Sequence, residues 1–441
     1  MTSTFDLVIR NGTVVNQDGI GPRDIGVRDG RIAAIGWLAT ASAGESIDAT
    51  GLTILPGVID TQVHFREPGA THKEDLLTGS RAAVLGGVTS VFEMPNTTPP
   101  TTTLEALEDK VARATHRMHC DFAFWVGGTR DTLAEIPELE QLPGSAGIKV
   151  FAGSSTGDLL VDDEATLSDI LSLTSRRVAF HSESEPRLRM RLGLRVDGDA
   201  SSHSLWRDPE AALECTAMLV RLAEDARKPI HILHVSTAGE MALLAAHKGL
   251  VSVEVTPQHL TLAADEAYRL LGTRAQMNPP LRSAEHQRAV WQAVSDGVAD
   301  ILGSDHAPHT LEEKAKPYPA SPSGMPGVQT LLPIMLDHVA AGKLSLQRLV
   351  DMTSAGPQRL FGIAGKGRIA VGYDADITVV DLAATRSIEG ARMASKSGWT
   401  PFDGRVVKGW PIGTIVRGRK VMWNGEVLGA AKGEPVRFLG A

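Results

Sequence analysis

Side chains that could bind a metal and an anion follow the apolar run at 54–59. The branched residues of that run predict a buried strand. Gln62 and His64 are two residues apart, so both lie on one side of the strand, and Arg66 follows before the turn at Pro68-Gly69. An imidazole, an amide and a guanidinium together suit a divalent ion and an anionic substrate. A single histidine at a strand end is also common as a structural residue, so this stretch alone decides nothing.

Eight segments of the chain's middle part have the composition of buried strands. Most are separated by segments whose apolar residues recur at three- and four-residue spacing, as in amphipathic helices. This alternation predicts an α/β protein with a parallel sheet, and eight repeats predict a closed (β/α)₈ TIM-like barrel; an open doubly wound sheet is the alternative. The predicted strands are 54–65, 88–94, 121–126, 146–151, 177–180, 229–235, 251–255 and 299–303.

The residues best suited to chemistry fall where these strands end, which is where a barrel enzyme carries its active site. His64 ends the first predicted strand, Lys149 lies within the fourth, and Asp305 follows the eighth. His181 and His234 end the fifth and sixth. Each residue has an ordinary alternative, such as a lysine that extends its ammonium to the rim or a hydrogen-bonded core histidine. Their coincidence at one end of the barrel favours a common site.

The donor types predict a divalent metal site, with Zn²⁺ as the first choice and another divalent ion as the alternative. Histidine nitrogens, the Asp305 carboxylate and the Gln62 amide oxygen are suitable ligands. The Lys149 ammonium has no lone pair, so it can contribute only when deprotonated or converted by CO₂ to a carbamate that bridges two ions. A hydroxide held there would be a strong nucleophile at neutral pH. Asp305 would accept its proton and deliver it to the leaving nitrogen.

Both ends of the chain predict small β-structures. Residues 5–50 contain short strand-like runs separated by the hairpin signals Asn11-Gly12 and Asp29-Gly30. Similar runs return at 377–380, 414–416 and 420–422. Because domain termini often lie close together, the two ends can pair. The predicted organisation is a β-sandwich formed by 1–52 and 373–441, with the barrel spanning 53–372.

Composition limits the class of protein. The 441 residues are 42% hydrophobic and 22% charged, as in an ordinary globular protein with a large core. The net charge of −8 disfavours nucleic acid or an anionic membrane as a partner. The first residues show no signal-peptide pattern, and no run approaches the ~20 apolar residues of a membrane span. With only Cys120 and Cys215, one disulfide at most is possible, so a reduced cytoplasmic setting is expected.

Longer motifs surround these residues over nearly the whole chain. They are PGVIDTQVHFREPG at 56–69, GGVTSVFEMPNTTPPT at 86–101, GIKVFAGSSTG at 147–157, AFHSESE at 179–185, HILHVSTAGE at 231–240, EVTPQHL at 254–260, NPPLR at 278–282, ILGSDHAPHTLEEK at 301–314 and KGRIAVGYDADITVVD at 366–381. Together they resemble the motifs of dihydroorotases, in the cyclic amidohydrolase group of the amidohydrolase superfamily. The resemblance implies reversible cyclisation of N-carbamoyl-L-aspartate to L-dihydroorotate, a step of de novo pyrimidine biosynthesis.

The resemblance also implies a role for each metal-binding position. His64, Lys149 as its carbamate and Asp305 would hold one metal, and Asp305 would be the catalytic base and acid. Lys149, His181 and His234 would hold the second. One or two Zn²⁺ ions per chain, bridged by carboxylated Lys149, are therefore expected, as is a homodimer or an association with another enzyme of the pyrimidine pathway.

The substrate-binding positions are implied in the same way. Arg66 and Asn96 would hold the substrate carboxylate, Asn278 the pyrimidine ring, and His309 would complete the anion pocket, while the backbone near Gly324 would contact the ring. The guanidinium is a planar fork matched to a carboxylate. Hydantoinase-like relatives usually lack the Arg-Glu-Pro-Gly sequence, and allantoinases usually carry Asn-Glu-Pro-Gly. Dihydroorotase is therefore favoured over a hydantoinase- or allantoinase-like hydrolase of another cyclic amide.

Gln62 departs from the family pattern, which has the first histidine of a His-x-His pair at this position. An amide oxygen is a weaker zinc ligand than imidazole. Gln62 could bind the metal through its oxygen, could leave that metal with fewer ligands, or could mark an empty site. A working enzyme is favoured because the other ligands are present. A non-catalytic, dihydroorotase-like partner subunit is the alternative.

Two further expectations concern the surroundings of the site. Residues 311–324 combine charges with three prolines, which predicts an irregular loop near the mouth, either a lid or a passive connector. Glu183, two residues after His181, could orient a metal ligand or be an ordinary rim charge. The remaining expectation is that histidines in helix- or loop-like contexts are solvated. These are His72, His203, His247 and His286.

Overall fold

A parallel eight-stranded sheet forms the centre of the computed structural model, which describes residues 4–155 and 159–439. Each strand pairs with the next along the chain. The barrel is nearly closed, because a bridge joins Val63 to His306 just beyond the last strand. The predicted (β/α)₈ barrel is confirmed. Its strands, which we number one to eight, are Val58–Val63, Val88–Glu93, Asp121–Gly127, Ser145–Phe151, Val178–His181, Ile230–Ile232, Val251–Val255 and Ile301–Leu302.

Helices follow the barrel strands, and many of them begin at a side chain that caps a free backbone N–H group. Asp75 accepts from Thr78 N at 2.8 Å, and Asp163 accepts from Thr166 N at 2.9 Å. The helices are Leu76–Leu85, Leu104–Ala114, Ile136–Leu139, Glu164–Leu173, Glu185–Arg191, His203–Trp206, Pro209–Ala226, Ala238–Ala245, Pro257–Thr261, Ala264–Leu271, Ala284–Ser295, Leu311–Lys314, Leu331–Ala340, Leu346–Val350 and Gly356–Phe361, with a π-helical turn at Asp351–Ala355.

Two further sheets lie outside the barrel, and the ends of the chain combine in the second of them, as predicted. One has the strand order Arg31–Gly36, Asp24–Arg28, Phe5–Arg10, Ala43–Asp48. The other has the order Glu426–Val427, Arg419–Trp423, Val406–Val416, Ile377–Ser387, Thr53–Pro56, Thr13–Asn16, Gly19–Pro22. Apolar side chains from both sheets share one core, which includes Ile9, Ile54 and Ile377. The exact domain boundaries at 52/53 and 372/373 stay a prediction.

The first predicted strand, 54–65, is divided in the structure. Thr53–Pro56 pairs antiparallel with Ile377–Ser387 in a terminal sheet, and barrel strand one starts only at Val58. Pro56 has no backbone N–H to continue a ladder, and Gly57 N instead donates to Asp376 O at 2.8 Å. One apolar run therefore serves two sheets, so the prediction of a single strand was wrong.

The barrel interior explains why polar groups gather at one end. Apolar side chains fill most of its first half, in which Trp125 packs edge-to-face against Phe92 and Phe361 with ring centroids 6.1 and 5.5 Å apart. The Trp125 indole donates to Thr61 O at 3.0 Å. Because this layer excludes water, the polar side chains lie beyond it, where the strands end.

Nothing in the described ranges has the length and apolarity of a membrane-spanning helix. Cys120 and Cys215 are both buried and free, so the single disulfide that the sequence allowed is absent.

A buried lysine joins the barrel to the terminal sheets. The Lys366 ammonium lies 2.7 Å from Asp121 Oδ2 and from Asp376 Oδ2, and 3.2 Å from Asp374 Oδ2. Asp121 begins barrel strand three, while Asp374 and Asp376 directly precede the terminal strand Ile377–Ser387. Burial raises the pKa of Asp376, and Lys366 opposes that rise. One cation therefore holds three carboxylates from two parts of the fold.

Replacing Lys366 with Met is expected to lower the free energy of unfolding by about 3–5 kcal/mol, because it leaves the buried Asp376 carboxylate without a cationic partner. Denaturant titration followed by circular dichroism measures this loss. Lys248→Met is the control, because Lys248 pairs with Asp300 in a partly exposed position and such pairs contribute about 1 kcal/mol or less. Equal losses in the two variants would contradict the account of the buried network.

Candidate active site

One pocket at the carboxyl ends of the barrel strands collects almost all of the predicted site residues. Its wall contains Gln62, His64, Arg66, Asn96, Lys149, His181, His234, Asn278, Asp305 and Gly324, together with Phe151, Ser155, Ala307 and Ser323. Of the predicted residues only His309 lies outside this wall, directly behind Arg66. Residues 156–158, at the end of the motif at 147–157, lie outside the described part of the chain.

A first pair of groups that are suited to bind a metal faces the pocket just beyond the ends of strands one and eight. His64 Nε2 lies 3.3 Å from Asp305 Oδ1, and His64 Nδ1 donates to Asn96 Oδ1 at 2.8 Å. Burial lowers the pKa of His64, although Asp305 works against that shift. A neutral ring that donates through Nδ1 directs its Nε2 lone pair at the carboxylate. Two electron-pair donors then face each other, which is the arrangement that a cation between them would stabilise.

Gln62 completes this side of the pocket. Its Nε2 donates to Asp305 Oδ1 at 3.1 Å, whereas its buried Oε1 has no hydrogen-bond partner. A buried acceptor without a partner is costly and marks a place where a water molecule or an ion fits. Gln62 is therefore positioned to offer an amide oxygen, the first of the three outcomes that its sequence left open.

A second pair comes from strands five and six. His181 Nδ1 and His234 Nε2 are 3.1 Å apart, and His181 Nε2 donates to Glu183 Oε2 at 3.0 Å. Burial would raise the pKa of the Glu183 carboxyl, but Arg207 and His181 hold it below its usual range. Burial lowers the pKa of both histidines. Glu183 is therefore a buried residue that orients His181 rather than a rim charge.

Lys149 lies between these groups on strand four. Its side chain is buried, and its Nζ donates to Val150 O at 2.8 Å and lies 4.0 Å from the centroid of the Phe151 ring. In the described residues no carboxylate lies within ion-pair distance of this amine. Burial lowers its pKa well below the ordinary lysine value, which favours the neutral amine that can react with CO₂.

These donors fit a metal only as a combined set. Within the described ranges no three His, Cys, Asp or Glu side chains lie close enough together to hold an ion by themselves. The two pairs, the Gln62 oxygen and the Lys149 amine nevertheless line one pocket. Divalent ions with nitrogen and oxygen ligands usually take three or four protein ligands. The set therefore fits if Lys149 supplies oxygen atoms to complete each pair, which is the chemistry of a carbamate.

The opposite wall is suited to an anion. Arg66 is buried, and its Nε donates to Pro308 O at 3.3 Å. In the described part of the chain its guanidinium has no carboxylate within ion-pair distance. Burial lowers the pKa of Arg66 to about 10, which still leaves it charged near neutral pH. A buried, unpaired cation is costly unless an anion arrives, so the pocket is suited to a carboxylate.

His309 supports this guanidinium from behind. Its Nε2 donates to Ser323 O at 2.9 Å and lies 3.3 Å from Arg66 Nη2, and its Nδ1 accepts from Lys73 Nζ at 3.1 Å. Burial, Arg66 and Lys73 all lower the pKa of His309. The ring is therefore neutral and holds Arg66 in place. It also lines a second chamber with Lys73 at the pocket mouth.

Three residues of the pocket have left-handed backbone conformations, which are uncommon outside glycine. The φ angles are 61° at Arg66, 39° at His234 and 44° at Asp305. Each such residue costs of order 1–3 kcal/mol and persists only where the surrounding structure enforces it. The wall closes with Gly324, whose φ of 133° lets its backbone approach the pocket.

His203 was missed by the sequence reasoning. The expectation that it is solvated was wrong: it is buried, its Nε2 donates to Asn278 Oδ1 at 2.8 Å, and its Nδ1 lies 3.3 Å from the Tyr318 hydroxyl. Burial and Arg207 lower its pKa to about 3. His203 therefore fixes the Asn278 amide. His72 is exposed as expected, whereas His247 and His286 are half-buried and bond to the backbone.

The segment at 311–324 packs against this wall. It begins with the helix Leu311–Lys314, Tyr318 is buried, and Gly198 N donates to Tyr318 O at 2.8 Å. Whether it opens during turnover, as a lid would, stays a prediction.

Known proteins resemble this chain over nearly its whole length. Residues 53–421 match the Amidohydrolase family, and residues 1–54 match the urease alpha-subunit N-terminal domain. A dihydroorotase of Halobacterium salinarum is 38% identical over 434 residues, covering 98% of this chain and 99% of the relative. An allantoinase of Rubrobacter xylanophilus is 36% identical, with 99% and 98% covered. The structure of an L-hydantoinase (dihydropyrimidinase) from Arthrobacter aurescens superposes with a TM-score of 0.93 at 33% identity, covering 98% of this chain and all of the other.

Proposed function

We propose that this chain, which belongs to the amidohydrolase family, is a dihydroorotase that interconverts N-carbamoyl-L-aspartate and L-dihydroorotate in pyrimidine biosynthesis. The chain is a hydrolase of the amidohydrolase superfamily that acts on cyclic amides, and the identity of the ring is the proposed part. The observation that carries the choice is the buried Arg66 guanidinium on the pocket wall, which lacks a carboxylate partner among the described residues. L-Dihydroorotate carries the carboxylate that this cation requires, whereas hydantoin and dihydrouracil do not.

A hydrolase of hydantoins or allantoin is the second candidate. The allantoinase relative and the close superposition on an L-hydantoinase structure favour it, because this chain matches both proteins over nearly their whole length. Fold similarity alone does not decide the substrate. A neutral ring would leave Arg66 unpaired, so the anionic ring remains the better match.

Members of the superfamily generally use divalent metals. Zn²⁺ is the ion that we propose, with His64, Asp305 and carboxylated Lys149 as one set of ligands and Lys149, His181 and His234 as the other. Gln62 would add its amide oxygen to the first set. A bound ion would supply Lewis acidity and lower the pKa of a water molecule.

The chain's own residues orient the substrate and move the proton. Arg66 and Asn96 hold the carboxylate, and Asn278, fixed by His203, binds the ring amide. These contacts present the ring carbonyl carbon to the attacking oxygen near Asp305. Asp305 accepts the proton of the attacking water as the new C–O bond forms. It then returns that proton to the ring nitrogen as the C–N bond breaks, and cyclisation reverses these steps.

Arg66→Lys tests the substrate assignment. We expect KM for L-dihydroorotate to rise about tenfold or more with a smaller change in kcat, because an ammonium cannot reproduce the bidentate fork. Ultraviolet absorbance follows turnover. Dihydrouracil is the control ring, and its kinetics should not respond to the substitution. An unchanged KM for L-dihydroorotate would contradict the carboxylate role.

Gln62→His tests the first metal site. Because imidazole binds zinc more strongly than an amide, we expect the variant to retain more metal after dialysis, with affinity at its weaker site raised about tenfold or more. Metal content per chain is measured by elemental analysis across a series of chelator concentrations. Two ions held equally tightly by the wild-type protein would contradict the idea that Gln62 weakens one site.

Two remaining expectations stay proposals. They are a homodimer and an association with another enzyme of the pyrimidine pathway. If metal-loaded protein turned over none of the candidate rings, the alternative of a non-catalytic, dihydroorotase-like partner subunit would be favoured instead.

A further inference from the structure

Lys314 is a buried cation near the anion wall that no motif role explains. It ends the helix Leu311–Lys314, and the residue is 1% exposed. Its Nζ donates to Pro322 O at 2.7 Å and to Gln276 O at 3.2 Å, and it lies 6.0 Å from the Trp399 ring centroid. Among the described residues no carboxylate pairs with it. A lysine buried on carbonyl groups alone is costly and calls for a functional reason.

The two carbonyls belong to chain segments that line the pocket. Gln276 precedes Asn278 by two residues, and Pro322 is followed directly by Ser323 and Gly324. The segments also bond to each other, since Gly324 N donates to Gln276 O at 2.9 Å and Gln276 Nε2 donates to Ser323 Oγ at 2.9 Å. Lys314 therefore fastens the wall that carries Asn278 to the wall that carries Gly324.

Three basic side chains lie near His309 at the same corner of the pocket. The charges of Arg66, Lys73 and Lys314 all lower the pKa of the His309 ring. Only Lys73 has a carboxylate partner, Glu313, at 3.1 Å. Arg66, and Lys314 when it is protonated, therefore lack a carboxylate partner in the described residues, and both lower the pKa of the His309 ring. A substrate carboxylate beside Arg66 would supply the partner that these basic groups lack.

Burial lowers the pKa of Lys314 to about 7, so near neutral pH its amine is only partly protonated. An anion in the pocket would favour the charged form and draw a proton from solvent. The charged or titratable groups of the segment that carries Lys314 are His309, Glu312, Glu313, Lys316 and Tyr318, and Arg274 and Lys396 lie next to its contacts at Thr273, Gln276 and Trp399.

We propose that Lys314 is a positioning residue that makes the pocket selective for an anionic ring. It fastens the Asn278 and Gly324 walls together and acquires its full charge when the carboxylate of the ring is bound. This inference rests on the proposed function, because it assumes an anionic pyrimidine as the ligand. It predicts that binding of such an anion takes up a proton and that Lys314 is the group responsible.

Titration calorimetry with orotate, a planar pyrimidine carboxylate, tests the inference. Binding to the zinc-loaded protein is measured at about pH 8 in two buffers of different ionisation enthalpy, where Lys314 should be mainly neutral before the anion binds. We expect net proton uptake in the wild type, no such uptake in Lys314→Met, and a Kd for orotate raised on the order of tenfold in that variant. Lys314→Arg, which should be charged at pH 8 before the anion binds, should keep the affinity without taking up a proton.

Lys343→Met is the matched control, because Lys343 also lies over an indole ring, that of Trp291 at 5.0 Å, outside the pocket. It should leave both affinity and proton uptake unchanged. Undiminished uptake in Lys314→Met, or in Lys314→Arg should the Met variant not fold, would overturn the inference and leave the proposed function intact. Absence of orotate binding to the wild type would instead contradict the proposed function itself.

Discussion

Lys149→Ala is expected to lose turnover, with kcat reduced on the order of 10³-fold or more. The substitution removes the one group on the pocket wall that can link the His64–Asp305 pair to the His181–His234 pair. Neither pair alone offers the three ligands that a catalytic zinc site usually has. Metal content should therefore fall together with activity. Both are measured on the same preparation, by elemental analysis and by ultraviolet assay.

A rescue experiment separates this role from a structural one. Short carboxylic acids should enter the space left by the side chain and restore part of the activity and metal content of Lys149→Ala, because they replace the missing carboxylate oxygens. The thermal unfolding midpoint, measured by circular dichroism, reports whether the variant is folded. A folded Lys149→Ala protein that keeps its metal and turns over normally would contradict the bridging role.

Asp305→Asn is expected to lower kcat about 10²- to 10⁴-fold with little change in KM. Asparagine matches the size of aspartate, so contacts with Gln62 and His64 can largely be kept, but an amide cannot accept and return the proton. Single-turnover kinetics with L-dihydroorotate measure the chemical step. Asp300→Asn, in the surface pair with Lys248, is the control and should behave as the wild type. A kcat within about threefold of the wild-type value would exclude Asp305 as the proton carrier.

The barrel and the position of its site were predictable because both depend on local patterns. Parallel strands buried on two faces produce continuous apolar runs, and helices between them produce three- and four-residue spacing. His64, Lys149, His181, His234 and Asp305 follow or end such runs, so the carboxyl ends of the strands bring them into one pocket. The fold class then follows from counting the strands.

What escaped prediction depends on contacts between distant segments. The run at 54–65 contributes strands to two sheets because Pro56 and Gly57 interrupt it. Its composition did not show with which strand each half would pair. His203 lies in a four-residue helix that is too short to show periodicity, yet Tyr318 and Asn278 bury it. Lys314 lies in a charged, proline-containing segment whose composition predicts exposure to solvent. It is buried only because distant segments pack around it.

The most direct measurement of the central claim is kcat/KM of one zinc-supplemented preparation for L-dihydroorotate, hydantoin, dihydrouracil and allantoin. The account predicts turnover of L-dihydroorotate with a kcat/KM at least about tenfold above that of any neutral ring, because only this ring carries a carboxylate for Arg66. Efficient turnover of hydantoin or allantoin without turnover of L-dihydroorotate would contradict it.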